Sequence, residues 1–452
     1  PQGFSRAKGD YELAESSDKT KNIQEDFREY LFPCIRPFYE EPLVIERGQG
    51  ATVVDSEGRE YLDFFGGILT TAVGHCHPKV KERTVAQINK LQHVSNSYLT
   101  EPAVSLAKKL AEITPGRLQK TFFTNSGSEA DETAVLAARC YTGSYEVVAM
   151  RHGYSGRTTL AMSMIGDSQY RLPGAGLGAG VVHVANPYCY RCPYGLTYPS
   201  CDLHCARDVE EVIRTSTMGT IAAFIAEPIQ GVGGFIVPPK EYFQVVAEIV
   251  RRYGGIFISD EVQTGFGRTG GKMFGIEHYG VEPEVMTFAK ALGNGMPIGA
   301  TIAVPEVADS VKGYSVSTFG GNPVSTKTAL AVLDVIISEE LVHNAQKVGA
   351  LIRERLESLK EKFPVIGDVR GMGLMQGMEL VKEGKEPAPQ AVNRLFEETR
   401  RRGLLIGKGG TYGNFIRLTP PLNIHPSDAE TALEILEASM QASIWSSTIS
   451  RP

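Results

Sequence analysis

The sequence predicts an α/β protein: a mostly parallel sheet covered by helices, followed by a smaller α+β domain. Three observations predict it. Short continuous apolar runs recur through the middle of the chain, amphipathic stretches separate several of them, and polar or charged residues gather at the carboxyl ends of the runs. Strands buried on both faces read as uninterrupted apolar runs, and their alternation with helices points to a parallel sheet. Such sheets bind ligands at the carboxyl ends of their strands.

In chain order, the strand candidates are "KTFF" (120–123), "EVVAM" (146–150), "VVHV" (181–184), "IAAFIAEP" (221–228), "GIFISDE" (255–261), "VMTFAK" (285–290) and "GATIAV" (299–304). "PKEYFQVVAEIVRRYG" (239–254) is a helix by its apolar spacing. After about residue 330 the pattern changes to a long helix and then short strands around 371–380 and 415–422. The chain divides into residues 1–70, which contribute to the small domain, a large domain over 71–330, and a C-terminal small domain over 331–452.

At 452 residues, there is enough chain for two or three domains and a large core. A net charge of −6, with bases interspersed among acids, gives no basic field for nucleic acid or an anionic membrane. No apolar stretch approaches the roughly 20 residues that span a bilayer, and the first thirty or so residues are polar. The expected location is the cytoplasm. Four of the seven cysteines, Cys189, Cys192, Cys201 and Cys205, lie in "CYRCPYGLTYPSCDLHC". Their spacing is open to zinc, to a labile disulfide or to free thiols, and the proline, glycine and tyrosine between them mark a loop. His75 and His77 in "GHCHP" read as turn or packing residues.

The chemistry lies on the rim. Asn125, Ser126, Gly127 and Ser128 form a tight turn that opens a helix, where free amides and the helix dipole favour an anion. The same residues also suit a plain N-cap with a capping acid. Asp260 ends a buried run and needs a cationic partner, such as a pyridinium nitrogen or the nearby Arg268. Lys290 ends another, where an ammonium is costly unless it is deprotonated or held as a Schiff base. A phosphate turn, an acid for a ring nitrogen and a lysine for an aldehyde, in that order on strand ends, suit pyridoxal 5′-phosphate (PLP). Competing motifs fail. "GLLIGKGG" (403–410) is not a P-loop, and "GAGLGAGVV" (174–182) precedes a strand instead of following one. "GYSGR" (153–157) is not a nucleophile elbow.

From about Pro33 to about Leu436 the chain resembles the class III aminotransferases of fold type I, nearest the alanine–glyoxylate aminotransferase-like branch. "FFTNSGSEA", "AEPIQGVGG", "SDEVQTGFGRTG", "FAKALGNGMPIGA", "STFGGNPV" and "RLTPPL" carry the resemblance. It implies that Lys290 holds the cofactor and moves the substrate proton, and that Asp260 pairs with the ring nitrogen. It places Gln263 near the ring hydroxyl, Val262 and Tyr154 on the two ring faces, and Ser126, Gly127 and Ser128 at the phosphate. Glu227 supports the site from behind, and Arg417 grips a substrate carboxylate. Thr318 reaches the phosphate of the other subunit, which implies a homodimer or dimer of dimers with composite sites.

The implied reaction moves an amino group from an alanine-like or ω-amino donor to a small 2-oxo acid such as glyoxylate or pyruvate. A phospho-lyase of amino-alcohol phosphates and a silent PLP-binding protein are the alternatives. Two residues depart from the family pattern: Ser155 where histidine is usual, and Val232 where ornithine-type members carry a glutamate. Without that glutamate, Arg417 is less masked.

Overall fold

The computed structural model describes residues 17–172 and 178–445. The first sixteen residues and the 174–177 part of the glycine-rich stretch lie outside the described residues.

Among the described residues, fifteen strands form three sheets. β1 (Ile45–Gln49), β2 (Thr52–Asp55) and β3 (Glu60–Asp63) form an antiparallel meander. The central sheet contains β4 (Lys120–Thr124), β5 (Val147–Met150), β6 (Val181–Val184), β7 (Ala223–Ala226), β8 (Ile256–Asp260), β9 (Val285–Phe288) and β10 (Gly299–Ala303). The third sheet is built from β11 (Ile366–Met372), β12 (Met375–Leu380), β14 (Gly407–Gly409) and β15 (Phe415–Leu418). The two-residue β13 (Leu404–Leu405) pairs in parallel with β3.

All seven runs singled out in the sequence are strands of the central sheet, in the order β4-β10-β9-β8-β7-β5-β6. Residues of β5, β7, β8, β9 and β10 are buried throughout, which is why these strands carry no alternation. β5 to β9 pair in parallel, whereas β10 is antiparallel to both of its neighbours. The short link from β9 to β10, residues 289–298, leaves no room for a helical crossover, so the chain must double back. Two reversals leave β4 running with β9. The carboxyl ends of β4, β7, β8 and β9 therefore share one rim.

The helix Gly127–Thr142 starts where β4 ends. Ser126 caps it, accepting from the Glu129 amide at 3.3 Å, and the Glu129 carboxylate accepts from the Asn125 amide at 2.7 Å. Gly143, at φ 68°, stops it in a left-handed turn. Tyr242–Arg252 buries Phe243, Val246 and Val250 on one side, the stripe expected from its spacing. In the third sheet, Gly373 turns the chain between β11 and β12. A Cβ there would lie 2.3 Å from the Thr269 carbonyl carbon, so no larger residue fits.

A buried charge cluster ties the third sheet to the central one. Glu379 of β12, 1% exposed, receives Arg191 at 2.5 Å, Arg370 at 2.8 Å and Asn414 at 3.2 Å, and also the Tyr188 hydroxyl. Arg370 continues to the Gly234 carbonyl at 2.7 Å. These cations hold the Glu379 carboxyl below its ordinary range against the opposing effect of burial.

Glu379→Gln leaves the buried Arg370 and the partly buried Arg191 without their shared carboxylate and is expected to cost about 3 kcal/mol in urea unfolding. A carboxyl whose folded value is depressed stabilises fully above its unfolded value. The cluster's contribution is therefore lost as pH falls through the lower, folded value, and the variant lacks that acid limb.

Candidate active site

The shared rim forms a cleft lined by Gly127, Ser128, Asp131, Tyr154 to Arg157, Glu227, Asp260, Val262, Gln263, Ala289 and Lys290. Most of these come from a strand end or the loop just beyond it, and Gly127, Ser128 and Asp131 from the start of the helix that follows β4, where backbone leaves the sheet and side chains are free to converge. Lys290 follows β9 at φ 39°, a left-handed conformation that is uncommon for lysine and held here by the tight 290–292 turn. Burial pushes its amine down from the ordinary lysine range, while Asp260 and Glu227 pull the other way.

Asp260, the last residue of β8, is 3% exposed and accepts from the Val262 amide at 3.0 Å. Burial raises its carboxyl to about 6, opposed by that amide and by Lys290. Glu227 accepts from the Gly231 amide at 2.8 Å and the Tyr154 amide at 3.1 Å. Burial and the charge on Asp260 push it up to about 8. Arg268, the rival partner for Asp260, points elsewhere, donating to the Leu374 and Pro420 carbonyls. Glu261 also faces away from the cleft. It takes the Gly275 and Ile276 amides at 2.9 and 2.8 Å and fixes the loop after β8.

The arrangement has a shaped recess. Gly127 sits against Val262, and Gly156 against Ser128, whose hydroxyl accepts from the Arg157 amide at 3.1 Å. A Cβ on Gly231 would lie 2.2 Å from Gln263 Oε1, a buried atom that lacks a hydrogen-bond partner. Such orphaned polar atoms are rare in finished cores and common where a ligand completes them. An amide-rich helix start, a lysine, an acid and an unpaired acceptor around one recess fit PLP.

Arg417 of β15 is buried, and its Nε and Nη1 have no partner among the described residues. Its guanidinium lies over the rings of Phe65 and Phe235, at 5.3 and 5.7 Å. Burial lowers it to about 10, with Tyr170 and Glu227 acting in the opposite direction. Among the described residues no carboxylate forms an ion pair with it. Val232, whose carbonyl accepts from the Gly410 amide at 2.8 Å, stands beside it across Gly409.

Three of the sequence candidates are not among the residues lining the cleft: Ser126, Thr318 and Arg417, the last standing on β15 close enough to act on Lys290. The Ser126 hydroxyl is engaged as the helix cap, and Thr318 is exposed, away from the cleft of its own chain. Asp131 and Tyr170 join the site without having been read as members of it. Tyr170 meets Tyr154 edge-on, with ring centroids 5.3 Å apart. The four clustered cysteines are free thiols, and among the described residues no three His, Cys, Asp or Glu side chains converge as a metal site. His75 bonds Asp63 at 2.8 Å, a packing role as expected.

The family model for class-III aminotransferases matches residues 36–440. An alanine–glyoxylate aminotransferase 2 homologue of Arabidopsis thaliana is 42% identical, over 91% of this chain and 86% of its own length. The human mitochondrial alanine–glyoxylate aminotransferase 2 is 36% identical, over 92% of this chain and 86% of its own. A solved Bacillus anthracis aminotransferase superposes with TM-score 0.88 at 33% identity, covering 95% of this chain and all of that one. The fold is accordingly that of the PLP-dependent transaminases, fold type I.

Glu227 contributes stability below its unfolded value and loses it as pH rises through about 8. Protein stripped of cofactor is expected to melt at progressively lower temperature as pH rises through that range. In Glu227→Gln the fall is smaller, as calorimetry at several pH values would show.

Proposed function

We propose that this chain, which belongs to the class-III aminotransferases and uses pyridoxal 5′-phosphate, transfers the amino group of alanine or a similar donor to a small 2-oxo acid such as glyoxylate or pyruvate. The observation that carries the reading is Arg417: a buried guanidinium with two unpartnered nitrogens, walled by aromatic rings, beside Val232. A compact carboxylate completes it. The plant and human relatives, named for alanine and glyoxylate, support the same pairing. The phospho-lyase and silent-protein alternatives are not favoured.

When bound, the cofactor supplies an aldehyde that captures the amino group and a ring that accepts the electron pair left at Cα. The protein's residues do the rest. Gly127 and Ser128, at the start of the helix, hold the phosphate. Val262 and Tyr154 confine the ring faces, and Gln263 Oε1 accepts from the ring hydroxyl. Asp260 places negative charge at the ring nitrogen. Lys290 Nζ, which burial favours as the unprotonated amine, takes the proton from the substrate Cα. Glu227 holds the Tyr154 and Gly231 loops in place, and Arg417 orients the substrate by its carboxylate.

Two protomers complete each site in this reading. Thr318 is exposed among the exposed apolar residues Tyr314, Val316 and Phe319, a surface suited to a second copy. Thr318 of one protomer then reaches the phosphate held by the other, in a homodimer or a dimer of dimers. Residues 71–330 act as the large domain, with 1–70 and 331–452 forming the small one. Cytoplasmic residence belongs to the same proposal; the plant and human relatives are named as mitochondrial, and cell fractionation separates the two compartments.

The test is the visible spectrum of the PLP-loaded protein with L-alanine and no acceptor. The yellow band is expected to give way to that of the aminated cofactor, with stoichiometric pyruvate. A band that ignores alanine overturns the donor assignment. Arg417→Met is expected to raise KM for alanine and for glyoxylate about 10- to 100-fold, the loss of a charged hydrogen-bonded pair. Cofactor affinity, measured separately, stays unchanged.

A further inference from the structure

We propose that Asp131 is a positioning residue for Asp260: the two buried carboxyls share one proton, which Asp131 carries and donates, so that Asp260 keeps its negative charge toward the cleft. The inference rests on the reading that Asp260 faces the cofactor ring nitrogen.

Asp131 lies early in the Gly127–Thr142 helix, just beyond the phosphate turn, and is 1% exposed. Its carboxyl lines the same cleft as that of Asp260, and each acts on the ionisation of the other. A second contact fixes its orientation. Thr287 stands directly opposite Asp260 in the β8–β9 register, and its hydroxyl donates to Asp131 Oδ1 at 2.7 Å. One helix and two strands thus bring a hydroxyl and two nearly buried carboxyls together at the cleft wall.

Two carboxylates this close, both nearly buried, do not both ionise, and sharing one proton lets them bond to each other. The surroundings decide which one holds it. Asp260 receives the Val262 amide and faces Lys290, and both favour its anion. Asp131 receives only the neutral Thr287 hydroxyl, and the charges of Asp260 and Glu227 oppose its ionisation. Burial adds to this, pushing Asp131 well above the ordinary carboxylate range. The proton therefore resides on Asp131, and its donation is charge-assisted. It holds the Asp260 side chain in one orientation and lowers its basicity. Without it, a buried Asp260 would itself take up a proton and lose the charge that a protonated ring nitrogen requires.

The experiment is the nitrogen-15 NMR shift of ring-labelled PLP bound to the protein, with the cofactor dissociation constant measured in parallel. Asp131→Asn keeps the shape, a donor for Asp260 and an acceptor for Thr287. It is expected to leave the ring nitrogen protonated and the dissociation constant within about threefold. Asp131→Leu removes the donor. It is expected to move the shift toward the unprotonated ring, to weaken cofactor binding, and to lower kcat about 10- to 100-fold. An Asp131→Leu signal like that of the unaltered protein overturns the proposal, and so does an Asp131→Asn signal like that expected of Asp131→Leu. If Asp131→Leu does not fold, the Asn variant alone decides, because a proton residing on Asp260 would make that substitution shift the signal. Asp260→Asn is the control. If it leaves the shift unchanged, the underlying reading of Asp260 has failed; if it shifts while the Asp131 variants do not, only the present inference has.

Discussion

The site depends on one constraint: ionisable groups gathered at a water-poor strand rim cannot all be charged at once. Lys290, Asp260, Glu227 and Asp131 line the same cleft, and Arg417 stands close enough to act on Lys290. Burial drives every one of these groups toward its neutral form. Hydrogen bonds then select which keep their charge. The Val262 amide and Lys290 favour the Asp260 anion, whereas Asp131 receives only a hydroxyl. A lysine kept as the free amine beside an acid kept anionic is the combination that proton transfer at a substrate carbon needs.

The surrounding architecture makes that constraint tolerable. The central sheet supplies fixed strand ends, and the third sheet supplies Arg417 from β15. The Glu379 cluster spans the two, and Arg370 carries it to Gly234, next to the Phe235 ring that faces Arg417. The wall of the carboxylate pocket is therefore braced by buried charge some distance from the cleft. An error in that bracing would move Arg417 relative to Lys290, and small misplacements of reacting groups are expensive in rate.

Much of the central sheet was legible because its strands are buried on both faces and so appear as unbroken apolar runs. The meander β1–β3 was not. β1 is almost wholly exposed and has no apolar run, and its partners are short. β13 has only two residues and exists because β3 offers it an edge. In the site, residues at strand ends could be read directly, since Asp260, Lys290 and Glu227 break apolar runs with a charge. Asp131 could not. In the sequence it is one more acid near a helix start, and its significance lies in its closeness to a residue far along the chain. Ser126 shows the opposite case, a capping pattern whose plain meaning describes its hydroxyl.

The parallel pairing of Leu62 and Asp63 with Leu404 and Leu405 has a consequence for synthesis. The meander leaves the ribosome early, yet the edge it is built to share arrives only after the whole central sheet and two of the third sheet's four strands. Until then its hydrogen-bonding row faces solvent and whatever else is nearby. Pairings of such long sequence separation close late and slowly, and open edges invite other chains in the meantime. The nascent protein thus has a window of vulnerability whose length is set by the distance between its two halves of a single small sheet.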